Sequence, residues 1–378
     1  MRPGLYIHVP FCAAKCAYCD FYSLRRPADM ERWTEAVITE YALRAPHYLP
    51  DPSVGWNTLY IGGGTPSSLP LPLLSRLMAS LSGIHRLEEA TIEANPEDVT
   101  PRWLEAVAGL GFNRVSMGIQ SFDDAQLSDV GRRHDSATAR RALTYLAGSG
   151  LDFSADLIYG LPGQSLESWQ HSLRALLDFS PSHFSAYHLS YEPGTRLYAR
   201  LQAGKVTEAS DSLVADMYAL LTDEASRRGY LHYEISNFAL PGHEAIHNSS
   251  YWDYRPYLGL GPGAHSFSGT ARASNPPHLS RYLSALLASD PALPLEVEEE
   301  SAAELVNDLI ITALRTSRGL SLTRLSAVAT PAQFDVILSE ARKLAASGLL
   351  LLTDTSIVIP ERNFLLSDHI LRSLILES

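Results

Sequence analysis

Cysteine is nearly absent from this chain: three residues in 378, all of them between positions 12 and 19. An odd, tightly spaced set cannot be a disulfide framework, and it fits a reducing compartment. Long apolar runs are missing as well. None reaches the roughly 18 residues of a membrane-spanning helix. Positive charge is scarce, with 30 Lys and Arg against 42 Asp and Glu and a net charge of −12. A nucleic-acid surface needs clustered Lys and Arg, so none is expected. Met1 to Pro10 carries one Arg and a short strand-like run, without the apolar stretch and cleavage site of a signal peptide. The cytoplasm is therefore the expected compartment. Hydrophobic residues make up 46% and charged residues 19%, which is the balance of a folded globular chain. There is no internal repeat and no low-complexity tract.

What is present is an alternation of short strand-like and longer helical runs. Leu5–Val9 reads as the first strand, Met30–Ala45 as a helix, and Thr58–Ile61 as a strand ending at Gly62-Gly63-Gly64. The rhythm continues through a helix at Pro101–Leu110 with Pro in its first turn, strands at Arg114–Ile119 and Phe153–Tyr159, and a strand at His183–Ser190. This pattern predicts an α/β fold, a parallel sheet covered by helices and closed into a partial (β/α) barrel over residues 1–270. Glycines and polar residues cluster where the strands end, which is where parallel barrels build their sites. Residues 271–300, with Pro291, Pro294 and the acidic run Glu296–Glu300, read as a linker. Residues 301–378 read as helices followed by a hairpin, a small α+β, winged-helix-like module. From Glu296 to Ser378 there are 12 acidic and 7 basic residues, so this module is expected to pack or to cover a substrate rather than bind DNA.

The cysteines lie directly after the first strand as Cys12-x3-Cys16-x2-Cys19. Thiolates are soft ligands for iron–sulfur clusters and for zinc. A structural zinc site takes four ligands and would have to recruit His8 or another residue. Three thiolates on one short loop favour a cluster with one open iron, where a cofactor or substrate can bind. A structural zinc loop stays the alternative.

The stretch Tyr6-Ile7-His8-Val9-Pro10-Phe11-Cys12-Ala13-Ala14-Lys15-Cys16-Ala17-Tyr18-Cys19-Asp20-Phe21 resembles the signature of the radical S-adenosylmethionine superfamily. The resemblance implies a [4Fe–4S] cluster on Cys12, Cys16 and Cys19, with S-adenosylmethionine chelating the fourth iron through its amine and carboxylate. An electron from such a cluster cleaves the sulfonium to a 5′-deoxyadenosyl radical. Tyr6 and Tyr18 flank this cofactor in the resemblance. Gly63, Gly64 and Thr65 match the glycine segment that approaches the methionine amine, and Glu93 matches a carboxylate near the adenosine. Gln120, Arg132 and Asp156 match positions that serve a second S-adenosylmethionine in related proteins. Leu258 matches a hydrophobic contact to the adenine.

Within the superfamily the chain resembles two close groups: the oxygen-independent coproporphyrinogen III oxidases and the heme chaperones of the HemW type. Three features favour the chaperones. Phe21 stands where the oxidase has a further cysteine, only 11 residues precede Cys12, and His247-Asn248-x-x-Tyr251-Trp252 resembles a heme-binding motif. Neutral imidazole is a common axial ligand to heme iron, so the resemblance gives that role to His247, with Tyr251 and Trp252 as flat apolar faces. On spacing alone His247 reads instead as a hydrogen-bonded core residue. His243, one turn earlier, is a weaker competitor for the ligand role, and Tyr187 and His188 either line the cavity or close the barrel. The implied partners are heme, apo-hemoprotein recipients and a low-potential electron donor. A homodimer and an association with a membrane surface through a recipient both stay open. The alternative function is porphyrinogen decarboxylation by a radical enzyme.

Overall fold

The computed structural model describes residues 2–293, 295–299 and 301–376; Pro294 and Glu300 of the expected linker lie outside them. Twelve strands form one sheet: β1 (Gly4–Val9), β2 (Thr58–Gly63), β3 (Glu89–Ala94), β4 (Arg114–Gln120), β5 (Asp152–Tyr159), β6 (His183–His188), β7 (Leu231–Glu234), β8 (Asn237–Ala239), β9 (Tyr257–Leu260), β10 (His265–Phe267), β11 (Ala271–Ser274) and β12 (Glu296–Glu299). Their order is β12-β11-β10-β9-β1-β2-β3-β4-β5-β6-β8-β7. From β9 through β6 every neighbour is parallel, and antiparallel hairpins extend both edges. This is the partial parallel barrel that the strand–helix rhythm predicts. Among the described residues no helix is long and apolar enough to cross a membrane.

Strand alternation divides the barrel into two unlike faces. Leu5, Ile7 and Val9 of β1, Leu59 and Ile61 of β2, and Val115 and Met117 of β4 are fully buried under the outer helices. The opposite, inner positions are polar: Tyr6 and His8, Tyr60, Thr91 and Glu93, Arg114 and Ser116, Ser154 and Asp156, His183 and Ser185. Hydrophobic burial on the outer face holds the sheet together, while the inner face is furnished for polar contacts.

Residues 271–299 are not a linker. β11 pairs with β10, β12 pairs with β11, and helix Leu279–Leu286 buries Leu279, Tyr282, Leu283 and Leu286 beside helix Met30–Tyr48. The physical reason is a buried polar staple. The Glu40 carboxylate pairs with Arg44 at 2.7 Å and accepts from Asn275 at 2.7 Å and from the Tyr282 hydroxyl at 2.6 Å. Arg44 also donates to the Gly259 carbonyl and to Ser266, both at 2.8 Å. Both charges of the pair find hydrogen-bond partners, which a buried ion pair requires, while Asn275 Oδ1 has none among the described residues.

Beyond it, helix Ala302–Leu314 leads into a small antiparallel sheet, β13 (Leu320–Ser321), β14 (Leu351–Leu352) and β15 (Ser356–Val358), in the order β13-β15-β14, with helices Leu322–Val328 and Pro331–Ala346 between β13 and β14. Helix Ser367–Leu374 closes the module. It meets the barrel through Arg318 and Asp253 at 2.7 Å and through the Tyr218 hydroxyl, which donates to the Glu361 carbonyl at 3.0 Å.

Candidate functional site

The cysteine loop leaves β1 at Val9 and is pinned at its base. Cys12 N–H donates to the Leu24 carbonyl at 3.1 Å, and Leu24 N–H donates to Pro10 at 2.7 Å. Phe11 is buried edge-on against Trp33, with ring centroids 5.8 Å apart. The middle of the loop is held by Ala17 N–H to the Val130 carbonyl at 2.8 Å. Gly64 is dictated by crowding: a Cβ there would stand 2.5 Å from the Phe11 carbonyl oxygen and 3.0 Å from the Cys12 sulfur. The three thiols line one cavity of about 530 Å³ that runs from the strand ends down into the barrel. Thr65 Oγ1 approaches Cys12 Sγ at 3.5 Å, and Arg132 Nη1 approaches Cys16 Sγ at 3.5 Å. Burial pushes the Cys19 thiol up to about 11. Among the described residues no group of His, Cys, Asp or Glu is gathered tightly enough to hold a single metal ion.

Tyr18, Gly63, Glu93, Gln120 and Asp156 line the same cavity. Glu93 accepts from the Tyr60 hydroxyl at 2.8 Å and from Gly63 N–H at 3.0 Å. Burial nevertheless raises its carboxyl to about 7, with Asp156 adding to the rise. Asp156 is raised to about 6 by burial, held back by the Ser185 hydroxyl and by Arg114 and Arg132. Arg132 donates to Asn95 Oδ1 at 2.9 Å and to the Gly118 carbonyl. Gln120 has φ of +71° where the β4–β5 register slips, a left-handed conformation that is costly for a residue with a Cβ.

Six of the residues singled out from the sequence lie elsewhere. Tyr6 is one layer below, its hydroxyl 3.0 Å from His8 Nδ1, and it does not line the cavity. Leu258 is 0% exposed and pairs in register with Leu5, so strand alternation sends it into the helix-facing core, away from any adenine. His247 sits on helix Ile246–Trp252, which plugs the lower end of the barrel, and is 1% exposed. Its Nδ1 is 2.7 Å from Thr58 Oγ1, its Nε2 is 2.8 Å from the Tyr251 hydroxyl, and its ring stacks on Tyr60 at 5.1 Å. Burial lowers its pKa to about 3, so it is neutral. With both nitrogens engaged, His247 offers no lone pair to an iron in this conformation, and the core-residue reading describes its geometry. Tyr251 packs edge-on to Tyr257 at 4.7 Å, and Trp252 Nε1 has no partner among the described residues. Of this segment only Ala245 and Asn248 reach the cavity. His243 pairs with Asp152 at 3.3 Å on the outside, whereas Tyr187 and His188 line the cavity.

The sequence reading passed over Arg114, Ser116, Ser154 and His183, all of which line the lower cavity. Their signal was a polar residue at every second position of β4, β5 and β6, where a strand covered on both faces would be apolar throughout.

A partial parallel barrel with three cysteines after its first strand and a glycine turn after its second defines the radical S-adenosylmethionine class. The family model described as the Radical SAM superfamily matches residues 6–176. The heme chaperone HemW of Mycobacterium tuberculosis is 34% identical over 98% of this chain and 94% of its own length. That of Bacillus subtilis is 30% identical over 97% of both chains. The chain belongs to the radical S-adenosylmethionine superfamily and, within it, to the family of these HemW proteins. Among solved structures, coproporphyrinogen III oxidase (HemN) from Escherichia coli shares the fold, with a TM-score of 0.83 over 99% of this chain and 90% of that one at 24% identity.

Proposed function

We propose that this protein is a heme chaperone that carries a [4Fe–4S] cluster on Cys12, Cys16 and Cys19, with S-adenosylmethionine at the open iron, and hands heme to apo-hemoproteins. The observation that carries this reading is its similarity, over nearly the full length, to curated heme chaperones. The residues present suit the cofactors. Three soft thiolates face one cavity, and Gly64 leaves open the space that a Cβ would fill beside Cys12. Gly63 and Gly64 let the backbone come close to a methionine amine. Glu93, held by Tyr60, can accept from ribose or amine donors, and ionising it as pH rises past about 7 complements a cationic sulfonium. Arg132 holds positive charge beside the Cys16 sulfur, where a cluster ligand would carry negative charge. When bound and reduced, the cluster supplies the electron that cleaves the sulfonium. Phe21, 64% exposed at the lip of the cavity, presents an aromatic face where the oxidases have a further cysteine.

A ligand role for His247 requires one of its two ring hydrogen bonds to break and the buried ring to become accessible to heme. The decisive experiment is an anaerobic heme titration of the cluster-reconstituted protein, with coproporphyrinogen turnover assayed in the same preparation. Stoichiometric heme binding without turnover is the expected result. Turnover without specific heme binding would overturn the proposal in favour of the oxidase activity.

A further inference from the structure

The lower cavity carries a guanidinium with no carboxylate at ion-pair distance among the described residues. Arg114 opens β4 and, with Ser116, is turned inward by strand alternation; it is 5% exposed yet lines the cavity. Among the described residues its one hydrogen bond is long, 3.5 Å from Nη1 to the His243 carbonyl, and no carboxylate pairs with it. The carboxylates nearby are committed to neutral donors. Glu89 accepts from the N–H groups of Ile246 at 2.8 Å and His247 at 3.1 Å, and Glu93 from Tyr60 and Gly63, while Asp156 feels Arg114 and Arg132 only at longer range and is also held by the Ser185 hydroxyl. A guanidinium does not lose its proton, so a buried one calls for an anion.

Its neighbours are donors too. Ala245 N–H donates to the Tyr233 hydroxyl oxygen at 3.3 Å, and that hydroxyl lies 2.8 Å from His183 Nε2. The hydroxyl proton therefore goes to Nε2, and the proton of the neutral imidazole stays on Nδ1, which has no partner among the described residues. Burial and Arg114 hold His183 well below its ordinary pKa, in keeping with a neutral ring. Ser154 donates to Ser116 at 2.9 Å, leaving the Ser116 hydroxyl proton available. A guanidinium fork, an imidazole N–H and a hydroxyl all offer protons and ask for an acceptor.

We infer that the barrel floor around Arg114 is a binding site for a ligand carboxylate, with the guanidinium fork taking both oxygens and Ser116 and His183 completing the shell. The choice of carboxylate rests on the proposed function, whose ligands bring carboxylates and no phosphate. Arg114 and Gln120 lie at opposite ends of β4, about 20 Å apart at the rise of an extended strand. The group bound at the floor is therefore not the methionine carboxylate of a cofactor held at the cysteine loop. It comes from a heme propionate or from the amino-acid end of a second S-adenosylmethionine.

The test uses the full chain with its cluster reconstituted anaerobically, titrated with heme, with heme dimethyl ester and with S-adenosylmethionine. If a propionate is bound, unmodified protein prefers heme to the ester by about tenfold or more, and Arg114→Gln abolishes the preference. If an amino-acid carboxylate is bound, heme and ester bind alike and Arg114→Gln loses the second equivalent of S-adenosylmethionine. Unchanged affinities and stoichiometries in an Arg114→Gln protein that keeps its cluster absorption would overturn the inference. Should that variant fail to hold the cluster, Ser116→Ala takes its place: a several-fold loss for one of the two ligands is expected, and no loss for either refutes the site. Failure of unmodified protein to bind heme at all would sink the chaperone reading while leaving the S-adenosylmethionine titration to decide the floor site.

Discussion

Replacing His247 by Ala tests whether its ring is part of the barrel's closed end. The ring is hydrogen-bonded at both nitrogens, to Thr58 and Tyr251, and stacked on Tyr60. Each hydrogen bond is worth about 1 kcal/mol net, and the cavity and stranded hydroxyls add a similar amount, for a loss of about 3 kcal/mol. At about 2.1 cal/mol/K of unfolding entropy per residue, 378 residues give about 0.8 kcal/mol per kelvin, so cooperative melting should shift down by about 4 °C. The assay is calorimetry of the cluster-free protein, run beside a heme titration followed in the Soret band. A lower Tm with weaker heme binding is the expected pair of results. An unchanged Tm with heme binding abolished would refute the reasoning, because it would mean that the ring is not part of the barrel's closed end.

Three further tests address other parts of the molecule. Cys16→Ser should abolish the visible absorption of the reconstituted cluster; retention of that band would remove Cys16 from the ligand set. Glu93 has a carboxyl raised from 4.5 to about 7, so the stability it contributes is present below about pH 4.5 and lost as pH rises through about 7. The Tm of cluster-free Glu93→Gln, relative to the unmodified chain, should therefore rise between pH 5 and 8, by the equivalent of about 1–2 kcal/mol after allowing for water in the cavity. A flat difference across that range would show that Glu93 is not raised. Arg44→Ala leaves Glu40 buried without its ion-pair partner and should cost about 3–5 kcal/mol in a urea melt, whereas Glu40→Gln with Arg44→Met should lose much less.

Much of the barrel was legible because its strands are short, its helices well spaced and its punctuation chemical. The runs beginning at Leu5, Thr58, Arg114, Phe153 and His183 fall within one residue of the starts of β1, β2, β4, β5 and β6. Residues far apart in the chain, from Cys12 to Asp156, meet in one cavity because parallel strands bring their ends to one side. The 271–299 segment was not legible for a physical reason. Glu296 to Glu299 reads as a solvated acidic run, yet it forms an edge strand in which Arg272 faces Glu298 across the ladder. The helical spacing of Leu279, Tyr282, Leu283 and Leu286 was there to be read, but its anchor, the Glu40–Arg44 pair, lies more than two hundred residues earlier. Leu258 shows the limit of alternation, which fixes that neighbours face opposite ways but not which way faces the ligand. His247 shows the limit of motifs: no local pattern reveals that Thr58, 189 positions away, occupies one of its nitrogens.

Tyr60 touches both ends of the barrel at once: its ring lies against His247 and its hydroxyl holds Glu93. Histidine, tyrosine and carboxylate thus form a single column, and a push at the closed end arrives at the open end after two contacts. An experimentalist who alters the His247 motif and records a change in heme handling has also removed a contact of the ring that holds Glu93. No substitution in that motif is a clean instrument for asking about heme alone, and the cofactor-side readout belongs in every such experiment as its own control.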